Sequence, residues 1–403
     1  VEEVMIARDS YLNKLIESRA TDFVKVITGV RRSGKSSLLK LFKQFLLDDG
    51  VEDKHIVEIN YEKFEYDELK NGKALHEYVM KKVTDDSKLY ILIDEIQEVE
   101  EWARVVNSLR ISINSEIYVT GSNSRMFAGE HMTYLSGRYL VIKVFPLSFV
   151  EFLDFKKYSW NDLDEHFMEY LRIGSFPAVS LTDNPELVEA ITAGLFDSIF
   201  TRDIILRGRI RDEGTFFKVA KFVMENIGNP LSANSIKNTL ISSGHRITSD
   251  TVDNYLKLMC DAHILYQCER YDIRGKERLK TNGKYYVVDI GLRNKLIGYR
   301  RGNLGHVIEN IVYLQLLMFG FDVAVGKNLS SEVDFIATKG DIRLYFQVSL
   351  TALEESTYER EMKSLINIKD QYPKYLITMD KMDLSRDGII HVNLFDFLLD
   401  RWK

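Results

Sequence analysis

Cysteine is scarce, with two residues in 403. Cys260 and Cys268 do not have the spacing of a metal site, so a zinc cluster is excluded. They read as buried core thiols in a reducing, cytoplasmic setting. The eight histidines show no metal spacing either. Only five prolines occur, and with 45% apolar and 28% charged residues the composition is that of a soluble globular chain. No apolar run approaches the roughly 18 residues that a membrane span needs, so no membrane partner is expected. The acidic start, Val1-Glu2-Glu3-Val4, lacks the basic and apolar regions of a signal peptide, and a few residues are expected to precede Val1. Internal repeats and low-complexity runs are also missing.

What is present begins with length. A chain of 403 residues exceeds one hydrophobic core, so two or three domains are the prior. The net charge of −6 argues against wholesale coating of nucleic acid. The average hides an asymmetry. Residues 204–300 hold 17 Lys and Arg against 10 Asp and Glu, an excess of seven positive charges that leaves thirteen negative for the remainder. One segment is therefore expected to meet a polyanion.

The strongest motif follows a short apolar strand, Phe23 to Ile27. Gly29-Val30-Arg31-Arg32-Ser33-Gly34-Lys35-Ser36 is G-x-x-x-x-G-K-S, and a helical pattern through Leu38, Leu39, Leu41, Phe42 and Phe45 comes next. Strand, loop and helix in that order are the context a phosphate-binding loop requires. Glycines let the backbone N–H groups surround the phosphates, and the helix N-terminus adds positive potential. ATP and Mg²⁺ are the expected cofactors. Lys35 is expected on the β- and γ-phosphates, the Ser36 hydroxyl on Mg²⁺, and Gly29 to Ser37 around the nucleotide.

A continuous apolar run, Leu89 to Ile93, ends in Asp94-Glu95. It predicts a central parallel strand. Asp94 is assigned to the metal and Glu95 to activation of water. A third strand, Glu116 to Thr120, runs into Gly121-Ser122-Asn123-Ser124. Asn123, with Ser122 as the alternative, is expected to sense the γ-phosphate, although a plain turn fits the same residues. Arg138, before the strand Tyr139 to Val144, is placed where a ring ATPase presents an arginine to its neighbour's nucleotide; a surface ion pair is its other reading.

These stretches, with Phe145-Pro146-Leu147-Ser148-Phe149 and Gly174-Ser175-Phe176-Pro177, resemble the bacterial and archaeal AAA-type ATPases that carry a C-terminal domain of unknown function. The resemblance covers nearly the whole chain. It implies an α/β fold with an AAA-like P-loop core at 1–150, a helical lid at 151–211 and a variable C-terminal half. It implies no substrate.

In that half, apolar spacing predicts helices from Phe216, from Ser232 and, capped by Ser249-Asp250, through Met259. Two strands follow, Ile264 to Tyr271 and Lys284 to Asp289, around a loop with Arg274, Lys276, Arg278 and Lys280. This is the order of a winged helix-turn-helix, expected at 212–300, with those four residues on DNA phosphates. The candidate recognition helix carries Asp250, Asp253 and Lys257, which predicts backbone or shape contacts rather than base reading. A protein-binding spacer fits the same elements.

At 301–403, an amphipathic helix from His306 and strands at Asp322, Glu332 and Leu344 are similar to the PD-(D/E)XK nuclease fold. That resemblance places Glu309 and Asp334 in the first two catalytic positions. The third is broken: Gln347-Val348-Ser349 stands where E-x-K belongs, and a neutral amide is a weak Mg²⁺ ligand. Cleavage is not expected from this degenerate site.

The expected activity is ATP hydrolysis by an oligomer, most simply a hexamer, acting on forked or branched DNA. An ATP-gated nuclease and a nucleotide-controlled signalling switch with a protein partner are the alternatives.

Overall fold

A computed structural model describes residues 6, 8–124, 134–299, 302, 304–328 and 331–402, with Lys280, Thr281 and Asn282 in backbone alone. Readings on Val1 to Val4 and on the Lys280 side chain lie outside the described residues. The chain divides into two compact units, residues 1–146 with Asp261–His263, and residues 147–260 with 264–403.

The first unit is built on a parallel five-stranded sheet: β1 (Val24–Thr28), β2 (Ile56–Asn60), β3 (Leu89–Asp94), β4 (Ser115–Gly121) and β5 (Tyr139–Lys143). The order across the sheet is β2-β3-β4-β1-β5. β1 and β3 are buried along their whole length, which accounts for their unbroken apolar runs. Alternation sends Ile27, Leu92 and Tyr118 to one face, where the helices Asp9–Glu17 and Lys35–Asp48 bring Leu15, Phe42 and Leu46. Val26, Ile91, Ile93 and Val119 go to the other face, against Leu75, Val106 and Leu109 from Gly72–Met80 and Trp102–Ser112. Phe42 and Tyr118 pack ring against ring, tilted by 43°, with centroids 4.4 Å apart. β5 closes one edge with Leu140 and Val141 exposed.

The second unit opens with helices at Phe149–Lys156, Leu163–Ile173, Pro177–Ser180 and Pro185–Asp197, then a π-helical stretch, Ser198–Leu206. The Gly-Ser-Phe-Pro motif has a structural explanation. The buried Asp289 carboxylate accepts from Ser175 N at 2.6 Å and Ser175 Oγ at 2.7 Å, while its other oxygen caps the helix Ile290–Ile297 through Leu292 N. Three helices follow at Glu213–Glu225, Ala233–Ser242 and Ser249–Asp261. Ser232 heads the second with a capping box. The third is capped by Thr248, whose hydroxyl accepts from Thr251 N at 3.2 Å, one residue earlier than Ser249.

A seven-stranded mixed sheet completes the second unit. Its strands are β6 (Leu265–Asp272), β7 (Glu277–Val287), β8 (Asp322–Asn328), β9 (Ser331–Lys339), β10 (Ile342–Val348), β11 (Lys374–Thr378) and β12 (Ile389–Asn393), in the order β12-β11-β10-β9-β8-β6-β7. The hairpin expected as a wing is thus part of a larger sheet. β6 runs parallel to β8 with Arg270 to Asp272 beside Val325 to Lys327, so the sheet crosses residue 300. The helix Leu304–Met318 is buried from Val307 to Leu316 on every side rather than along one stripe. Cys268 is buried as expected, but Cys260 is only half-buried. No helix among the described residues is long and apolar enough to cross a membrane.

Candidate nucleotide site in the first unit

The loop between β1 and the helix Lys35–Asp48 takes its shape from two glycines. Gly29 has φ of 152°, and a Cβ there would stand 2.0 Å from Val144 O, so a side chain would force the loop away from the end of β5. Gly34 has φ of 98° and sits at the N-cap of the helix, where its left-handed backbone turns the chain into the first helical turn. Arg32 is also left-handed, with φ of 65°. Lys35 is the first helical residue and is buried. Its Nζ donates to Gly29 O and Val30 O, both at 3.0 Å, which holds the ammonium inside the loop.

The other predicted residues divide by environment. Val30, Arg31 and Ser33 are buried, Gly34 and Ser36 half-buried, and Arg32 and Ser37 exposed. The Arg31 guanidinium donates to Glu62 at 3.1 Å. The Ser33 hydroxyl is buried without a hydrogen-bond partner. That is costly unless something else satisfies it, and a phosphate oxygen would.

The strand order brings the end of β4 between the ends of β1 and β3, so the third motif faces the first two. Asp94 and Glu95 are both buried. Burial pushes the Asp94 carboxyl above its ordinary range, while the hydrogen bond from Thr120 and the nearby Ser36 hydroxyl act against that rise. Asp94 Oδ2 has no partner. Glu95 is left-handed at φ 58° and its carboxylate accepts from the Gln97 amide, with the Ser122 hydroxyl at 3.4 Å. Asn123 is buried just beyond β4.

Arg138 is not part of this cluster. It is exposed and precedes β5, and its carbonyl accepts from Val24 N at the start of β1. The loop lies at the other end of β1, about 16 Å away at 3.3 Å per residue.

Four contributors escaped the sequence reading. The Thr120 hydroxyl donates to Asp94 Oδ1 at 2.5 Å and accepts from Glu95 N at 2.9 Å, fixing both acidic residues. The only local signal was its place before Gly121-Ser122. Gln97 holds the Glu95 carboxylate. Arg8 donates to Ser33 O and Phe145 O, both at 2.9 Å, and ties the loop to the β5 end of the sheet. His263, which packs within the first unit, has Nε2 2.9 Å from Thr28 Oγ1. Burial, then Lys35 and Lys143, push its pKa down to about 3, so it is neutral. Nothing local in the sequence marks Arg8 or His263.

The geometry suits a triphosphate with Mg²⁺. Three unpartnered buried oxygens, Ser33 Oγ, Asp94 Oδ2 and Gln97 Oε1, a lysine ammonium, the first turn of a helix and a carboxylate pair lie at this site.

An AAA domain family matches residues 21–153, and a domain of unknown function, DUF8612, matches residues 164–302. An uncharacterized protein of Haemophilus influenzae is 42% identical over 403 residues, 99% of this chain and 100% of its own length. An uncharacterized protein of Methanocaldococcus jannaschii is 29% identical over 359 residues, 85% of this chain and 77% of its own. Among solved structures, the Aeropyrum pernix ORC1 protein in complex with DNA is similar at 12% identity and a TM-score of 0.31, over 72% of this chain and 93% of that one. That last likeness is too slight to carry an argument.

Proposed function

Because the chain belongs to the family of the uncharacterized Haemophilus influenzae protein, and its residues 21–153 match an AAA domain, we propose that it is a self-associating ATPase that acts on DNA. The observation that carries the reading is the pair of buried oxygens without partners, Ser33 Oγ and Asp94 Oδ2, beside the Lys35 ammonium. Ser36 and Asp94 would hold Mg²⁺, which supplies charge neutralisation on the β- and γ-phosphates when bound. Lys35 neutralises the same oxygens from the protein side. Thr120 keeps Asp94 in place, and Glu95, oriented by Gln97, accepts the proton of the attacking water. Asn123 or Ser122 reports whether the γ-phosphate is present.

Self-association, as a hexamer in its simplest form, is supported by Arg138. The residue is exposed and remote from its own loop, as an arginine offered to a neighbour's site would be. The exposed side chains of Leu140 and Val141 on the β5 edge lie next to it. DNA contact is supported by the positive excess of residues 204–300 and by Arg274 and Lys276, both exposed at the hairpin tip. Forked or branched DNA is the substrate class we favour within that reading.

One observation favours the signalling alternative. Arg278 is already paired with Glu269 and Asp322, which removes it from the expected phosphate contacts.

The test is the ATPase rate with and without single-stranded, duplex and forked DNA at two salt concentrations. Stimulation by DNA that falls as salt rises supports the proposal. Turnover indifferent to all DNA, with no salt-dependent binding, supports the switch. Replacing Arg274 and Lys276 together by Ala should weaken DNA binding and reduce the slope of log affinity against log salt by about 2.

A further inference from the structure

The second unit holds its own buried cluster of charges, which ATP chemistry does not use. Lys284 lies on β7 and is 4% exposed. Its Nζ stands 2.9 Å from Glu309 Oε1, 3.0 Å from Glu332 Oε1 and 3.4 Å from Asp334 Oδ1. These partners come from the helix Leu304–Met318 and from β9. The remaining valences are also filled. The Tyr286 hydroxyl donates to Glu309 Oε1 at 2.6 Å, and His306 Nδ1 lies 3.3 Å from Glu309 Oε2. Asp334 Oδ2 accepts from Val348 N at 2.9 Å. Gln347 accepts from Asp334 N at 3.3 Å and donates to Glu361 Oε2 at 2.8 Å.

Glu309, Asp334 and Gln347 are the residues that the nuclease resemblance assigns to a Mg²⁺ site. They do not fit one. Mg²⁺ demands octahedral oxygen ligands at about 2.0–2.1 Å. Here the inward carboxylate oxygens already accept from a lysine, a tyrosine and a backbone amide, and the Gln347 oxygen is taken by a backbone N–H. Among the described residues no group of three His, Cys, Asp or Glu side chains is placed to hold a metal. Lys339, nearer the broken motif in sequence, donates instead to Phe319 O at 2.9 Å.

We propose that Lys284 is a built-in counter-cation: its ammonium takes the cation position among Glu309, Glu332 and Asp334, so that the cluster binds no divalent metal and cuts no DNA. A metal entering there would displace an ammonium into a buried setting with no other partner, at a large desolvation cost. Burial works against the lysine's charge, but Asp334, Glu309 and Glu332 together hold its pKa above the ordinary value. The inference stands or falls independently of ATP hydrolysis.

The test uses nucleotide-free full-length chain carrying Asp94→Asn, so that the first unit offers no metal carboxylate. Mn²⁺ binding is followed by electron paramagnetic resonance. This parent should take up no Mn²⁺ saturably, and adding Lys284→Met should create a saturable site that binds Mn²⁺ about tenfold or more tighter than the parent's nonspecific uptake. Should Lys284→Met not fold, labelled duplex and forked DNA incubated with wild-type chain and Mn²⁺ decides, and the DNA should remain intact. Saturable Mn²⁺ binding by the parent overturns the inference. So does metal-dependent cleavage that Glu309→Gln abolishes, or a folded Lys284→Met chain that takes up no more Mn²⁺ than its parent.

Discussion

The two units each bury a cluster of polar groups, and the clusters are built on opposite plans. In the first unit, backbone and short hydroxyls shape a loop, and three oxygens of the cluster, Ser33 Oγ, Asp94 Oδ2 and Gln97 Oε1, are left without hydrogen-bond partners. In the second, long side chains from β7, β9 and a buried helix meet, and Lys284 is bonded to three carboxylates. A folded chain tolerates few buried polar atoms without partners, so a group of them around one loop calls for an explanation, and a ligand is one. Complete pairing marks the reverse, a cluster whose partners are all internal. In the two proposals, the same residue type, lysine, would serve a phosphate in one plan and take a metal's place in the other.

The contrast can be broken most sharply at Lys35. Lys35→Ala should lower ATP turnover by about 10³-fold while circular dichroism and DNA binding stay unchanged. Full turnover would remove the first unit from the comparison. Next in size is Lys284→Met, which should destabilise the chain by about 3–5 kcal/mol in urea unfolding, because three carboxylates lose their buried cation. A loss well under 1 kcal/mol would mean that the cluster is not held by its pairing.

A smaller effect sharpens the first plan. Thr120→Val keeps the shape and removes the hydroxyl that joins Asp94 to Glu95 N. It should reduce kcat about tenfold with KM little changed, the size of one lost hydrogen bond. A change in KM alone would place Thr120 in nucleotide binding instead. The smallest effect concerns pH. Burial first, then Glu309, push the Asp334 pKa up to about 7, against the pull of Lys284. A carboxyl raised on folding contributes stability below its unfolded pKa of about 3.9 and loses it as pH rises through 7. Asp334→Asn should therefore flatten the decline of the unfolding free energy between about pH 4 and pH 7. Glu309, whose pKa is lowered, has the opposite sign and acts below that range, as its stability is lost when pH falls. An unchanged decline would show that Asp334 does not titrate there.

Legibility in the sequence follows the same division. The nucleotide loop was readable because Gly29 to Ser36 are contiguous and their chemistry requires that spacing. The strands β1, β3, β4, β5 and β6 were readable from apolar runs, within a residue or two at their ends, whereas β7 starts at Glu277, seven residues before the expected Lys284, and β2, β11 and β12 were not foreseen. Strand order was not, and Thr120 was missed for that reason: it meets Asp94 only because β4 lies beside β3. Lys284 was missed more completely. It precedes Asp334 by fifty residues and reaches it only because the β6–β7 hairpin joins the sheet through Arg270 to Asp272, a pairing with no local signature. The same joining explains why the hairpin read as a separate wing, and why Arg278 near its turn is committed to Glu269 and Asp322. The helix Leu304–Met318 read as one-sided because its polar members, Glu309, Asn310 and Gln315, imply solvent; all three are buried.

The two carbonyls that hold Lys35 have a kinetic consequence. Gly29 O and Val30 O give its ammonium a resting place within the loop, so capture of a phosphate exchanges one set of oxygens for another. The swap tempers affinity for the incoming anion. It also eases departure of the spent nucleotide, since the cation can return to its own backbone instead of facing an apolar wall. An ATPase that turns over repeatedly would gain from such a retreat, because tight retention of product would stall it.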